Sequence, residues 1–98
     1  MSLFKITAFQ RDLLFIIASL DHPTGQDIKA RFEDETATEV NRGNVYPNLD
    51  TLVENGFIKK ESLDRRANCY LLTEKGVYCL HQRYEWEQEQ LSNVQQNV

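Results

Sequence analysis

Residues 42–58 read Arg42-Gly43-Asn44-Val45-Tyr46-Pro47-Asn48-Leu49-Asp50-Thr51-Leu52-Val53-Glu54-Asn55-Gly56-Phe57-Ile58, and they hold a helix together with its stop. Val45, Leu49, Leu52 and Val53 stand at i, i+4, i+7 and i+8, one apolar face of an α-helix. Asn41 is the candidate N-cap, and Asn55-Gly56 supplies the C-terminal signal, so a helix is predicted over about 42–54. Pro47 removes the hydrogen bond to the Gly43 carbonyl, a small cost so near the helix start. After Gly56 the periodicity changes. Phe57–Ser62 and Asn68–Leu72 read as two short strands joined by Leu63-Asp64-Arg65-Arg66-Ala67, a hairpin with a basic tip.

Upstream, Phe9, Leu13, Ile16, Ile17 and Leu20 form one apolar stripe, so a first helix is predicted between a Thr7 cap and the Asp21-His22-Pro23 stop. A shorter second helix follows over about 25–35. Thr24 caps it, Ile28 and Phe32 face inward, and Lys29, Glu33 and Asp34 lie on its solvated side. Downstream, Thr73 caps a long last helix to about Asn93. Along it Val77, Leu80, Tyr84, Leu91 and Val94 recur at steps of 3 and 4, with Glu87 the polar break. That seam is longer than three short helices can cover, and its outer part wants a partner.

The 98 residues are one small domain with an ordinary globular balance, 41% hydrophobic and 27% charged. Residues 1–72 read as the main unit and 73–98 as a final helix with a Gln/Asn-rich, frayed tail packed into the same body. Eleven basic against fifteen acidic side chains give a net charge of −4, which excludes nucleic-acid binding by bulk charge. No leader peptide or membrane span is expected, so a cytoplasmic location is. Cys69 and Cys79 are too few for a disulfide framework and lack metal spacing, and they read as small buried hydrophobes. There is no phosphate loop, no paired histidines and no nucleophile beside a base. No enzyme activity, metal or cofactor is expected.

Three short helices followed by a two-stranded hairpin is the order of a winged helix-turn-helix, an α+β and mostly α fold. The third helix would read a groove and the hairpin would be the wing. Local charge agrees with this. Residues 41–68 carry five bases against four acids, whereas residues 21–40 carry two bases against six acids. With Val45, Leu49 and Leu52 inward, Gly43, Asn44, Pro47, Asp50 and Thr51 face outward. Asn44 and Asn48 suit base edges, and Arg42 suits a guanine or a phosphate. Asn41 stands beside them at the helix start. Gly43 and Pro47 let the backbone approach a groove wall. Tyr46 reads equally as a phosphate ligand and as a partly buried core aromatic. Arg65 and Arg66 are placed for a minor groove or its phosphates. Lys59 and Lys60 alternate faces, so at most one points at DNA, and Lys59 is taken as that one.

The run from Arg42 to Ile58, with its Gly43-x-x-Tyr46-Pro47-x-Leu49-x-x-Leu52 core and Gly56 turn, resembles PadR-type transcriptional regulators. So does the second strand with its ending, Tyr70-Leu71-Leu72-Thr73-Glu74-Lys75-Gly76. The resemblance spans about residues 7–90 and is to the small members with a single C-terminal helix. It implies a homodimeric DNA-binding repressor whose last helix dimerises, with Val77, Leu80, Tyr84, Trp86 and Leu91 as interface residues. The operator would be a pseudo-palindrome on double-stranded DNA. Larger relatives also suggest a small-molecule effector held near Tyr84 and Trp86. The competing expectation is a dimeric winged-helix module that docks protein, supported by the acidic total.

Overall fold

The computed structural model describes residues 3–94. Of the expected Gln/Asn-rich tail, residues 95–98 lie outside the described residues. A short 3-10 turn, Leu3–Lys5, precedes helices α1 (Ala8–Ser19), α2 (Gly25–Thr36) and α3 (Arg42–Glu54). Strands β1 (Ile58–Ser62) and β2 (Asn68–Leu72) follow, and helix α4 (Glu74–Leu91) closes the order. All four helices begin where the sequence places a cap. Thr7 and Thr24 form reciprocal capping boxes with Gln10 and Asp27, while Asn41 and Thr73 accept from the amides of Asn44 and Gly76.

The core joins all these elements. Leu13, Leu14 and Ile17 of α1 meet Ile28 and Phe32 of α2, Val45, Leu49 and Leu52 of α3, and Phe57, Ile58 and Tyr70 of the wing base. Phe9 and Leu20, the ends of the expected stripe, are only partly buried, and Leu14 completes the buried face instead. The strands are antiparallel, with Ile58 opposite Leu72 and Ser62 opposite Asn68. A single bridge from Thr24 to Cys69 adds the α1–α2 connection to the sheet edge. Cys69 and Cys79 are both buried.

The α3–β1 turn explains its glycine. The Phe57 N–H donates to the Leu52 carbonyl and the Gly56 N–H to the Val53 carbonyl, at 3.0 Å each. This is a Schellman ending, and it requires the φ of +80° that Gly56 adopts. The end of α2 has no such glycine: Ala37 takes φ 53° there, in the left-handed region.

Glu33 departs from the expected solvated face. Its carboxylate accepts the Val40 N–H at 2.9 Å and pairs with Lys29 at 3.1 Å, tying α2 to the connector that enters α3. The Val40 hydrogen bond, and then Lys29, hold its pKa below the ordinary value of 4.5. A carboxyl with a lowered folded pKa stabilises the fold above its unfolded pKa, and the effect is lost as pH falls through the folded value. Glu33→Gln is therefore expected to flatten the pH dependence of stability below about pH 4.5, read as urea midpoints between pH 7 and pH 3. Equal acid sensitivity in variant and wild type would contradict that role.

Helix α4 runs past the rest of the body. The molecule measures 54 × 29 × 22 Å, and its radius of gyration of 14.7 Å exceeds the roughly 13 Å of a compact chain this long. Leu80 is 7% exposed and packs into the protomer's own core, with only its edge reaching the groove beside Val77 and Tyr84. The expected seam otherwise lies open, with Val77 at 42%, Tyr84 at 52% and Leu91 at 63% exposure. Trp86 sits about 200° round the helix from Tyr84, on a different face. It meets Phe4 edge-on at 5.0 Å, with the Arg83 guanidinium over both rings, and so covers the N-terminal turn. That separation also takes apart the aromatic pair expected to line one pocket.

Candidate nucleic-acid interface

Helix α3 is held at its first turns by residues from two other helices. Asn41 Oδ1 accepts the Asn44 N–H at 2.9 Å, so its side chain is engaged in capping. Asn48 Oδ1 accepts from Gln10 Nε2 of α1 at 2.9 Å, while Asn48 Nδ2 donates to the Asn44 carbonyl at 2.6 Å. Gln10 is the one buried polar side chain among the described residues, and its Oε1 accepts the Thr7 N–H at 3.2 Å. Asn48 thus spends part of its hydrogen-bonding capacity on seating α3 against α1, leaving one N–H and one lone pair outward. The Asn44 side chain, one turn earlier, is exposed and makes no hydrogen bond among the described residues. Pro47 and Gly43 are exposed beside it.

Tyr46 leans the other way, across the start of α2. A Cβ built on Gly25 would lie 2.4 Å from the Tyr46 ring, so the seat exists only because residue 25 is glycine. The Arg42 guanidinium stacks over the same ring, 5.3 Å from its centre. Tyr46 is therefore partly buried and also reaches the surface, and both readings of it from sequence keep a physical basis.

The wing tip is built by Asp64. Its Oδ1 accepts the N–H groups of Arg66 at 2.7 Å and Ala67 at 3.0 Å, while the Leu63 N–H donates to the Ala67 carbonyl at 3.0 Å. One oxygen of the tip's carboxylate is thus committed to two backbone amides, and Arg65 and Arg66 project without an ion pair among the described residues. Arg66 reaches a cleft of about 390 Å³ shared by Gly25, Gln26, Arg42, Tyr46, Asn68 and Tyr70. Three elements, the start of α2, the start of α3 and the wing, so converge on one basic concavity.

The strand lysines separate as alternation requires, but Lys60 is the one beside α3. It pairs with Asp50 at 3.5 Å and lies 6.0 Å over the Tyr70 ring, whereas Lys59 pairs with Glu61 at 3.2 Å on the opposite face. Burial, with Asp50 and then Tyr46 nearby, raises the Tyr70 pKa, so its hydroxyl stays protonated and able to donate. Gln10, Gly25 and Gln26 are not among the site residues read from the sequence, and of the two strand lysines that reading takes Lys59 instead of Lys60. Gln10 carried a signal, standing at the third helical position behind Thr7, where a glutamine completes a capping box.

Among the described residues no helix is long and apolar enough to cross a membrane, and no cluster of His, Cys, Asp or Glu could hold a metal. An exposed recognition-type helix with a basic wing beside it defines a winged-helix DNA-binding protein. The chain belongs to the PadR-like transcriptional regulator family, whose model matches residues 13–82. It is, at that level, a DNA-binding transcriptional regulator.

Solved structures agree. RosR of H. salinarum is 37% identical, with a TM-score of 0.83 over 89% of this chain and 78% of that one. A mutant of E. coli MarR complexed with operator DNA shares the fold at a TM-score of 0.78 and 24% identity, over 93% of this chain and 62% of that one. A winged-helix DNA-binding protein from STIV does so at 0.72 and 16%, over 86% of this chain and 92% of that one. Among curated proteins none matches.

Proposed function

We propose that the chain is a homodimeric, sequence-specific repressor acting by occupancy of a pseudo-palindromic operator. Helix α3 enters the major groove with Asn44 outermost, and the wing carries Arg65 and Arg66 to the minor groove or its phosphates. The observation that carries this reading is the convergence of Arg42, Tyr46 and Arg66 on one cleft at the start of α3, the helix that also exposes the Asn44 side chain. Charge of this kind at the edge of a groove-reading helix suits two phosphates flanking the bases it reads. Lys60 joins the set through its place beside α3, while Lys59 points elsewhere.

The dimer rests on the open side of α4. Val77 and Tyr84, with Phe15 of α1 and Leu72 of β2, line a groove of about 400 Å³ that also takes in His81. The same helix face continues to Leu91, beyond the rest of the body. So much contiguous apolar surface on a small regulator suits a second copy of the chain. Two α3 helices related by that two-fold would meet half-sites about 34 Å apart. Tyr84 and Trp86 line separate cavities, Tyr84 this groove and Trp86 a smaller one of about 230 Å³ with Leu3, Phe4 and Arg83, so a small-molecule effector held by both within one protomer is not proposed.

Asn44→Ala tests the reading directly. It is expected to narrow the gap between selected-site and random-sequence affinity about tenfold, leaving random-sequence binding within a factor of two. Competition titration of both duplexes measures it. An equal loss on both sequences would assign Asn44 to the phosphate backbone, and no change on either would remove it from the interface.

A further inference from the structure

We propose that Thr73 and Lys75 are positioning residues for operator recognition, fixing where α3 stands relative to the helix that carries the dimer seam. The inference rests on the dimeric DNA-binding reading above.

Three consecutive carbonyls at the end of α3 accept hydrogen bonds from one turn of α4. Lys75 Nζ donates to the Asn55 carbonyl at 2.6 Å, and the single proton of the Thr73 hydroxyl faces the carbonyls of Gly56 at 2.6 Å and Phe57 at 3.1 Å. The Thr73 N–H also donates to the Phe57 carbonyl, at 3.0 Å. Gly76 allows the contact, because a Cβ there would lie 2.2 Å from the Phe57 carbonyl oxygen. The Leu72-Thr73-x-x-Gly76 ending read from the sequence is thus a clamp on the α3–β1 turn.

The clamp answers ordinary physical needs, since a helix end leaves carbonyls without partners and a lysine there complements the helix dipole. Its placement does more. Val77 lies one residue beyond Gly76, so the clamp and the seam occupy adjacent turns of one rigid helix. Arg42 and Asn44 stand at the opposite end of α3, which spans about 20 Å at 1.5 Å per residue. A tilt of about 5° at the clamped end would move those residues by about 2 Å, enough to lose hydrogen-bond register on a base edge. In a dimer both α3 helices are referred to the two-fold through this clamp, and it therefore sets the spacing between half-sites.

The test uses the full chain and palindromic duplexes whose half-sites are moved apart one base pair at a time, together with an isolated half-site. Lys75→Met is expected to raise the dissociation constant for the best-spaced operator about tenfold and to flatten the spacing preference. Binding to the isolated half-site should stay within twofold, and Lys75→Arg should restore the wild-type profile. Thr73→Val should act in the same direction. If it fails to fold, exposed Lys75 carries the test alone. An unaltered spacing profile in Lys75→Met would overturn the proposal. So would an equal loss on the isolated half-site, which would mark Lys75 as a direct DNA contact. A wild-type chain that binds no duplex would overturn the underlying reading and this inference with it.

Discussion

Arg65→Ala combined with Arg66→Ala is expected to weaken binding to every duplex, selected or random, by about 10- to 100-fold near 150 mM salt. The slope of log affinity against log salt should fall by about two, since each phosphate neutralised contributes about 0.9. The local geometry makes these two charges effective. Asp64, which could have paired with them, is held at one oxygen by the amides of Arg66 and Ala67 and forms no ion pair with either arginine. Removing the guanidinium groups leaves that turn intact, because the amides and not the side chains hold it, so thermal stability should stay within a few degrees. Isothermal titration at several salt concentrations reads both quantities. A wing double variant that kept the wild-type salt slope would show that the tip does not touch the duplex.

Gly25→Ala is expected to act in the opposite manner, through a residue that needs no contact with DNA. The added methyl cannot share space with the Tyr46 ring, which therefore leaves its seat and takes the stacked Arg42 with it. Because the obstructing atoms are the far end of one side chain, the fold can survive, at a cost of about 1–3 kcal/mol for overpacking. Operator affinity should drop about tenfold as the cleft between α2, α3 and the wing loses its wall. The double-mutant cycle isolates the cause. In a Tyr46→Ala background the Gly25 substitution should cost almost nothing further. Full additivity of the two changes would mean that the seat does not matter to binding.

Much of this architecture was legible because the apolar periods are strong and the caps are of the right type. Val45, Leu49 and Leu52 bury completely, and α3 begins and ends where Asn41 and Asn55-Gly56 place it. The hairpin strands were legible for the same reason. What escaped were contacts between residues far apart in sequence, such as Gln10 with Asn48 and Gly25 with Tyr46, for which one chain carries no pairing signal. The choice between Lys59 and Lys60 needed the strand's buried face, which alternation alone does not reveal. Along α4, steps of 3 and 4 mark a stripe without saying how much of it the protomer keeps. Leu80 turned inward while Val77, Tyr84 and Leu91 stayed open. Trp86 was never part of that stripe, and its angular position puts it over Phe4.

The acidic total and the basic interface fit together in this account. Residues 21–40 concentrate the negative charge on α2 and its connector, and Glu33 there has a structural task. A net charge of −4 opposes indiscriminate binding, while Arg42 and Arg66 in the cleft, with Arg65 beside them at the wing tip, are the charges proposed to orient one face toward a duplex.

The most direct test of that claim is a fluorescence-anisotropy titration of the purified chain against random-sequence duplex and a pool of selected sites, at two salt concentrations. A dimeric regulator predicts tight binding to the selected sites, two chains per palindrome and a steep loss of affinity with salt. Weak binding that salt abolishes, with no preference for selected sites, would contradict it and favour a winged-helix module that docks protein.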